Sequence, residues 1–112
     1  MTDGSDNTLQ QLMATIEDRK RGGSGKSYTA SLLAGGVNKI GAKITEEAAE
    51  VVEAAAEPGD EGREHLVREA ADLLYHLLVM LACRDMNLTA VEAELARRFG
   101  ISGLEEKASR GK

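Results

Sequence analysis

KITEEAAEVVEAAAEPGDEGREHLVREAADLLYHLL, residues 43–78, is the stretch of sequence that decides the fold of this chain. Alanine, glutamate and leucine, which favour helices, fill both halves, and Pro58-Gly59 interrupts them in the middle. Proline and glycine together end one helix and allow a turn before the next. The stretch therefore predicts an antiparallel pair of helices, a helical hairpin.

Two pairs of carboxylates lie at matching distances on either side of this turn. Glu47 and Glu50 precede it, and Glu69 and Asp72 follow it. Residues three apart on a helix are neighbours, and antiparallel pairing places Glu47 opposite Asp72 and Glu50 opposite Glu69. Two unit charges about 4 Å apart repel by about 4 kcal/mol at an effective dielectric constant near 20. The four converging carboxylates therefore predict a bound cation, and an all-oxygen set favours Mg²⁺, with Mn²⁺ as a substitute.

Acidic helices also have a simpler interpretation. Glutamate is a good helix former that often only solvates a surface, so a single E-x-x-E pair carries little information. Here two pairs occur in matching register, and each borders an apolar stripe. The matched register is what favours a metal site over a solvated surface.

The remaining sequence also predicts helices, which gives an all-α fold. Thr8 and Gln11 have the spacing of a capping box, and a first helix is expected to begin there. A short helical piece follows and is closed by Gly35-Gly36. Thr89 and Glu92 form another capping box, which predicts a last, shorter helix.

The two hairpin helices are expected from about Val37 to Glu57, and from a cap at Asp60 to about Cys83. The first of them has an apolar stripe that is expected to be buried: Val37, Ile40, Ile44, Ala48, Val51 and Ala55. Residues 1–6 and 103–112 are expected to be a flexible lead and tail. One domain is therefore expected over residues 7–102.

Composition limits the classes of function. The chain has 112 residues and a formal net charge of -5, which argues against nucleic acid as a partner, because phosphate-backbone binding needs a basic face. Aromatic residues are scarce, so the core of this short chain is expected to be small and self-association is expected. No apolar run matches a membrane span or a signal peptide. A single cysteine, Cys83, is expected to be a buried thiol in a cytoplasmic protein.

Several polar motifs remain open to more than one interpretation. GGSGKS, residues 22–27, resembles the end of a P-loop, but the first glycine of that motif would fall at Lys20. The segment is therefore expected to be either a flexible connector or a loop that contacts phosphate in another geometry. Lys43 precedes Glu47 by one helical turn, so it forms either a surface ion pair or a phosphate contact.

The two histidines are not expected to be metal ligands. His76 follows Asp72 by one turn and could extend the ligand set, but a polar neighbour or a histidine at the edge of the core is the favoured interpretation. Neither His65 nor His76 has a glutamate three residues before it. This absence argues against a ferritin-like di-iron bundle, which uses Glu-x-x-His on two helices.

Three segments together resemble a known family. SYTASLL (residues 27–33), KITEEAAEV (43–51) and EAADLLYHLL (69–78) are similar to phosphoribosyl-ATP pyrophosphatases of histidine biosynthesis, and the resemblance extends over about residues 9–98. These enzymes belong to the all-α, MazG-like nucleoside triphosphate pyrophosphatases, whose broader pattern is E-x-x-E followed by E-x-x-D. Thr45 departs from the family, in which glycine is common at that position, but the carboxylates are intact.

The resemblance implies a fold and a reaction. The fold would be a MazG-type, four-helix-bundle-like arrangement completed by dimerisation. The reaction would be Mg²⁺-dependent hydrolysis of the nucleotide 1-(5-phosphoribosyl)-ATP to 1-(5-phosphoribosyl)-AMP and pyrophosphate. The alternatives are a house-cleaning nucleoside triphosphate pyrophosphatase and a non-catalytic helical dimerisation module.

The resemblance also implies roles for individual residues. The metal ligands would be Glu47, Glu50, Glu69 and Asp72, and Glu46 would hold a further ion or orient water. The pattern does not select which carboxylate accepts the proton from water. The residues that contact the substrate would be Lys39, Lys43, Ser27, Tyr28 and Thr29.

Overall fold

The computed structural model describes residues 7–22 and 27–99, and over these ranges the chain forms four α-helices and no strand. The helices are α1 (Thr8–Lys20), α2 (Tyr28–Ala55), α3 (Gly59–Cys83) and α4 (Leu88–Arg97). The all-α fold class is confirmed. Helices α2 and α3 are joined by a short turn at residues 56–58 and form the hairpin that the sequence predicts. The expected lead and tail, residues 1–6 and 103–112, lie outside the described residues.

Gly36 divides α2 into two parts. Its backbone angles, φ 77° and ψ -167°, are non-helical and lie in a region that essentially only glycine adopts. The sequence predicted a break at Gly35-Gly36, and the structure has it. The segment from Tyr28 to Gly35 therefore takes its own direction, separate from the part of α2 that carries the glutamates.

The predicted caps are wrong, although the helices are present. Asn7 caps α1 and Asn87 caps α4, because their side-chain amide oxygens accept hydrogen bonds from the main-chain N–H of Gln10 and Thr89. The cap therefore lies one residue before Thr8 in α1 and two residues before Thr89 in α4. Pro58 is the N-cap of α3, without a side-chain cap.

The predicted cap of α3, Asp60, lies inside the first turn of the helix instead. Asp60 and Glu61 are the acidic residues of that turn. Their negative charges lie near the helix N-terminus, where the macrodipole favours them. Asp60 therefore stabilises the start of α3 by charge and not by a capping hydrogen bond.

The buried core lies at one end of the hairpin. It is formed by residues of α1, of α2 on both sides of Gly36, of the end of α3 and of the start of α4: Met13, Ile16, Leu32, Ile40, Leu78, Val79, Ala82 and Leu88. Lys20 at the end of α1 donates to the carbonyl of Ala82 at 2.6 Å and pairs with Asp85. This contact places a cation at the C-terminus of α3, where the dipole favours it.

The other half of the hairpin is less well covered. Of the predicted stripe of α2, Ile40 is buried and Ile44 and Val51 are partly buried, but Val37, Ala48 and Ala55 are exposed. The buried positions of the glutamate-bearing part of α2 are instead Ile40, Glu47 and Ala54. The inward face thus includes a carboxylate, which a purely apolar stripe could not predict.

The sequence also predicts the burial of Cys83 and the lack of a membrane span. Cys83 packs against the core, but it is only partly buried where the sequence predicts a buried thiol. No helix among the described residues has the length and apolar character needed to cross a membrane.

Candidate active site

The hairpin brings three carboxylates together. Glu47 and Glu50 project from α2, and Glu69 projects from α3. One oxygen from each of these side chains can be chosen so that all three lie within 4.8 Å of one another. We call these three residues the acidic cluster.

Burial makes this cluster electrostatically unfavourable by itself. Glu47 is only 7% exposed. Oε1 of Glu47 and Oε1 of Glu69 are buried and have no hydrogen-bond partner among the described residues. A buried acceptor without a partner costs about 1–3 kcal/mol, and more when it is charged.

The pKa values of the three carboxylates shift in different directions. Burial, a hydrogen bond to Glu69 and the nearby negative charges raise the pKa of Glu47 to about 7. The pKa of Glu50 is also raised, chiefly by its hydrogen bond to Glu69. The pKa of Glu69 is lowered, chiefly by its hydrogen bond to Glu50, with His65 contributing. Without a cation, the cluster therefore retains a proton near neutral pH.

Asp72 lies apart from the acidic cluster. It is exposed and is not one of the three grouped carboxylates, so the structure brings three of the four expected ligands together. Glu69 is the residue of α3 that interacts with both Glu47 and Glu50. Asp72 is still near enough for its negative charge to raise the pKa of Glu47.

The acidic cluster fits a small divalent cation. Oxygen ligands at 2.0–2.1 Å from an octahedral Mg²⁺ lie about 3 to 4 Å from one another, and the cluster oxygens lie within 4.8 Å. The two buried, unpartnered oxygens are acceptors that a cation would satisfy. A group of carboxylate oxygens without sulfur or nitrogen suits Mg²⁺ or Mn²⁺.

The two lysines expected near the site have different surroundings. Nζ of Lys43 lies 3.1 Å from Oε1 of Glu46, and this hydrogen bond is the main reason that the pKa of Lys43 is raised. The charge of Glu47 also contributes, so Lys43 lies near the cluster. Lys39 instead donates to Oγ of Ser31 at 2.9 Å. Glu46 is exposed beside Lys43 and outside the cluster.

The SYT segment begins α2. Ser27 is the N-cap, and its Oγ accepts from the main-chain N–H of Ala30 at 3.0 Å. Tyr28 is exposed and contributes to the electrostatic surroundings of Lys43. Thr29 is buried and hydrogen-bonded to the Tyr75 hydroxyl. Lys26 belongs to the GGSGKS segment, which is expected to be a connector or to contact phosphate, and it lies outside the described residues.

His76 connects this segment to α3. Its Nδ1–H donates to the main-chain carbonyl of Asp72 at 2.8 Å, and its Nε2 accepts from the Tyr28 hydroxyl at 3.1 Å. The side chain is buried, which confirms the interpretation as a core-edge histidine. The Tyr28 ring also stacks on the Tyr75 ring at 6.2 Å between centroids. The start of α2 is thus fixed beside the turn of α3 that carries Asp72.

Sequence reasoning missed His65. Its Nδ1 lies 3.0 Å from both carboxylate oxygens of Glu57, and its Nε2 lies 3.2 Å from Oε2 of Glu69. The pKa of His65 is raised, chiefly by the hydrogen bond to Glu57. The i, i+4 spacing of His65 and Glu69 on α3 was the available signal.

Comparison with known proteins decides the family. Residues 9–99 match the sequence profile described as phosphoribosyl-ATP pyrophosphohydrolase. The chain belongs to this family. A phosphoribosyl-ATP pyrophosphatase of Rhodopirellula baltica is 52% identical over 102 residues, covering 91% of this chain and 85% of that protein. One of Dinoroseobacter shibae is 55% identical over 102 residues, with 91% and 97% coverage.

A third relative agrees with this assignment. A phosphoribosyl-ATP pyrophosphatase of Geobacter metallireducens is 49% identical over 108 residues, covering 96% of this chain and 95% of that protein. Membership of the phosphoribosyl-ATP pyrophosphohydrolase family confirms the resemblance found in the sequence. It makes this chain an enzyme of the hydrolase class, so the alternative of a non-catalytic helical module is wrong.

Proposed function

We propose that this chain hydrolyses 1-(5-phosphoribosyl)-ATP to 1-(5-phosphoribosyl)-AMP and pyrophosphate, the second step of histidine biosynthesis, with Mg²⁺ at the acidic cluster. The observation that carries the proposal is the buried, unpartnered pair of oxygens on Glu47 and Glu69, within a group of three carboxylates. The relatives are phosphoribosyl-ATP pyrophosphatases, which supports this substrate. The family suggests a cytoplasmic enzyme.

The acidic cluster would hold the cation. Glu47, Glu50 and Glu69 supply the ligand oxygens, and Asp72 adds negative charge nearby and would join them through a change of its exposed side chain. When bound, Mg²⁺ offsets phosphate charge and makes coordinated water more acidic. The three carboxylates would hold that charge between α2 and α3.

Lys43 would stabilise the departing pyrophosphate. Its ammonium is held by Glu46 and lies near Glu47, so a positive charge is positioned beside the cluster before substrate binds. A preorganised charge of this kind stabilises a leaving group more than a mobile one. The Tyr28 hydroxyl is fixed by His76, and Tyr28 lies near Lys43. This hydroxyl would also contact the substrate. Lys39, Ser27 and Thr29 keep their predicted role in substrate contact.

Pyrophosphate release tests the proposal. The purified protein is assayed with Mg²⁺ on phosphoribosyl-ATP, ATP, dCTP and dUTP. We expect strong preference for phosphoribosyl-ATP; preference for a free nucleotide would instead indicate a house-cleaning pyrophosphatase. Glu50→Gln should abolish turnover while the helices remain formed, and Glu53→Gln, the same change at an exposed position of α2, should not. Near-normal turnover by Glu50→Gln would refute the site.

The enzyme would act as a homodimer. An apolar groove of about 270 Å³ between α3 and α4 is lined by Leu74, Leu77, Leu78, Met80, Leu81, Leu88 and Val91. Leu74 and Leu77 are 44% and 40% exposed. The groove adjoins the chain's own core, because Leu78 and Leu88 belong to both. A second copy of the chain would cover this groove and complete a four-helix arrangement.

The oligomeric state tests this second part of the proposal. Leu77→Glu places a charge in the groove and should convert the dimer to a monomer, measured by light scattering after size exclusion. Val52→Glu makes the same kind of change at an exposed position of α2 outside the groove, and should leave the dimer intact. A wild-type protein that is monomeric at micromolar concentration would refute the dimer.

A further inference from the structure

His65 lies between two carboxylates that come from different parts of the chain. Glu57 follows the end of α2 and faces Nδ1, and Glu69 lies one turn further along α3 and faces Nε2. The imidazole is therefore held from both sides. This arrangement links the turn of the hairpin to the acidic cluster.

The contact with Glu69 involves only one of its two oxygens. His65 holds Oε2, and Oε1 is the buried atom without a hydrogen-bond partner among the described residues. A glutamate side chain that is free to rotate loses conformational entropy when it binds a ligand. A carboxylate whose second oxygen is already held loses less conformational entropy on binding. It also presents its first oxygen in a fixed direction.

We propose that His65 is a positioning residue for the acidic cluster: it fixes the carboxylate of Glu69 in the orientation that a divalent cation needs, and Glu57 fixes the imidazole. The inference rests on the proposed metal site. It assigns His65 no contact with the metal or the substrate. Groups that orient metal ligands in this way typically change metal affinity 10- to 100-fold when they are removed.

The positioning role and the charge of His65 predict opposite effects of its removal on cation affinity. A donor that faces carboxylates on both sides adds positive charge near the cluster, so by charge alone its removal would strengthen cation binding. By position, its removal leaves Glu69 held only by the carboxylates of Glu47 and Glu50, and weakens cation binding. The sign of the change in metal affinity therefore separates the two roles without any activity measurement.

The experiment measures the dissociation constant of Mn²⁺ by electron paramagnetic resonance at fixed pH. We expect His65→Ala to bind Mn²⁺ at least tenfold more weakly than wild type. His65→Gln should recover part of the loss, because its amide N–H can still donate to Glu69. Arg63→Ala removes a positive charge two residues earlier on α3, where the side chain is 85% exposed and pairs with Asp60, and should change the constant less than twofold.

Two further variants make the result decisive. Glu57→Ala keeps the imidazole but releases it from one side, so we expect weaker Mn²⁺ binding by a smaller factor than in His65→Ala. It also carries the test if circular dichroism shows that His65→Ala is unfolded. Glu47→Gln reports on the metal site itself and should lose most of its Mn²⁺ affinity.

The outcomes distinguish the inference from the proposed function. Unchanged or tighter Mn²⁺ binding by His65→Ala, or a His65→Gln variant no better than alanine, overturns the positioning role while a loss in Glu47→Gln upholds the metal site. Absence of Mn²⁺ binding by the wild type overturns both. Weaker binding by His65→Ala and Glu57→Ala, with Arg63→Ala unchanged, supports the inference.

Discussion

Glu47→Gln should stabilise the metal-free protein at alkaline pH. The pKa of Glu47 rises from 4.5 to about 7 on folding, because of burial and the neighbouring carboxylates. Each pKa unit corresponds to about 1.4 kcal/mol, so the full rise corresponds to about 3 kcal/mol. Relaxation of the side chains and screening by salt reduce this value, and we expect about 1–2 kcal/mol.

The sign of the pH dependence follows from proton binding. Between pH 4.5 and about 7 the folded protein binds more protons at Glu47 than the unfolded chain does. The contribution of Glu47 to stability is therefore fully present below about pH 4.5, is lost as the pH rises through this window, and stays lost above it. Glutamine does not titrate, so the difference in stability between the two proteins should change only as the pH rises through this window.

Urea unfolding followed by circular dichroism, in EDTA and at one protein concentration, measures this difference. We expect equal pH dependence in both proteins below pH 4.5 and greater stability of Glu47→Gln at pH 8. Saturating Mg²⁺ should stabilise the wild type more than the variant. Glu53→Gln, at an exposed position on α2, serves as the control. Parallel curves for wild type and Glu47→Gln from pH 4.5 to 8 would refute the electrostatic account of the cluster.

Three other changes test the fold and the site. Gly36→Ala should destabilise the protein by about 1–3 kcal/mol in urea unfolding, because its φ of 77° is strained for alanine although no atom lies within 4 Å of the added Cβ. Asn87→Ala should cost about 1 kcal/mol in the same assay, and Thr89→Ala, the cap predicted from sequence, clearly less. Lys43→Met should lower kcat/KM for pyrophosphate release at least about tenfold, and Lys39→Met, whose ammonium bonds Ser31, by a smaller factor. Equal losses in the two lysine variants would contradict the special position of Lys43.

Local sequence patterns were sufficient for the main features of the fold. The hairpin followed from helix-forming residues on both sides of Pro58, and the break in α2 followed from Gly35-Gly36. The caps were misplaced because Thr8 and Thr89 each have an asparagine one or two residues earlier, and the asparagine amide reaches the first free N–H groups. Capping patterns that overlap cannot be ranked from spacing alone.

The site was predictable only in part, because its details depend on contacts between helices. Matching register placed Glu50 near Glu69, but spacing could not show that Glu69 would also reach Glu47 and leave Asp72 exposed. The bond from His76 to the Tyr28 hydroxyl joins residues far apart in sequence, and no periodic pattern predicts it. His65 had the right spacing from Glu69, but its contact with Glu57 depends on the path of the turn.

The continuous hairpin also limits where the length of the chain can change. Every residue between Glu50 and Glu69 continues α2, forms the turn or begins α3. Inserting or deleting one residue within either helix there would rotate one carboxylate by about 100° relative to the other. An insertion before α1 would leave the spacing within the hairpin unchanged. Fusion partners should therefore be tolerated ahead of α1, whereas between Glu50 and Glu69 the number of residues is as important to the enzyme as their identity.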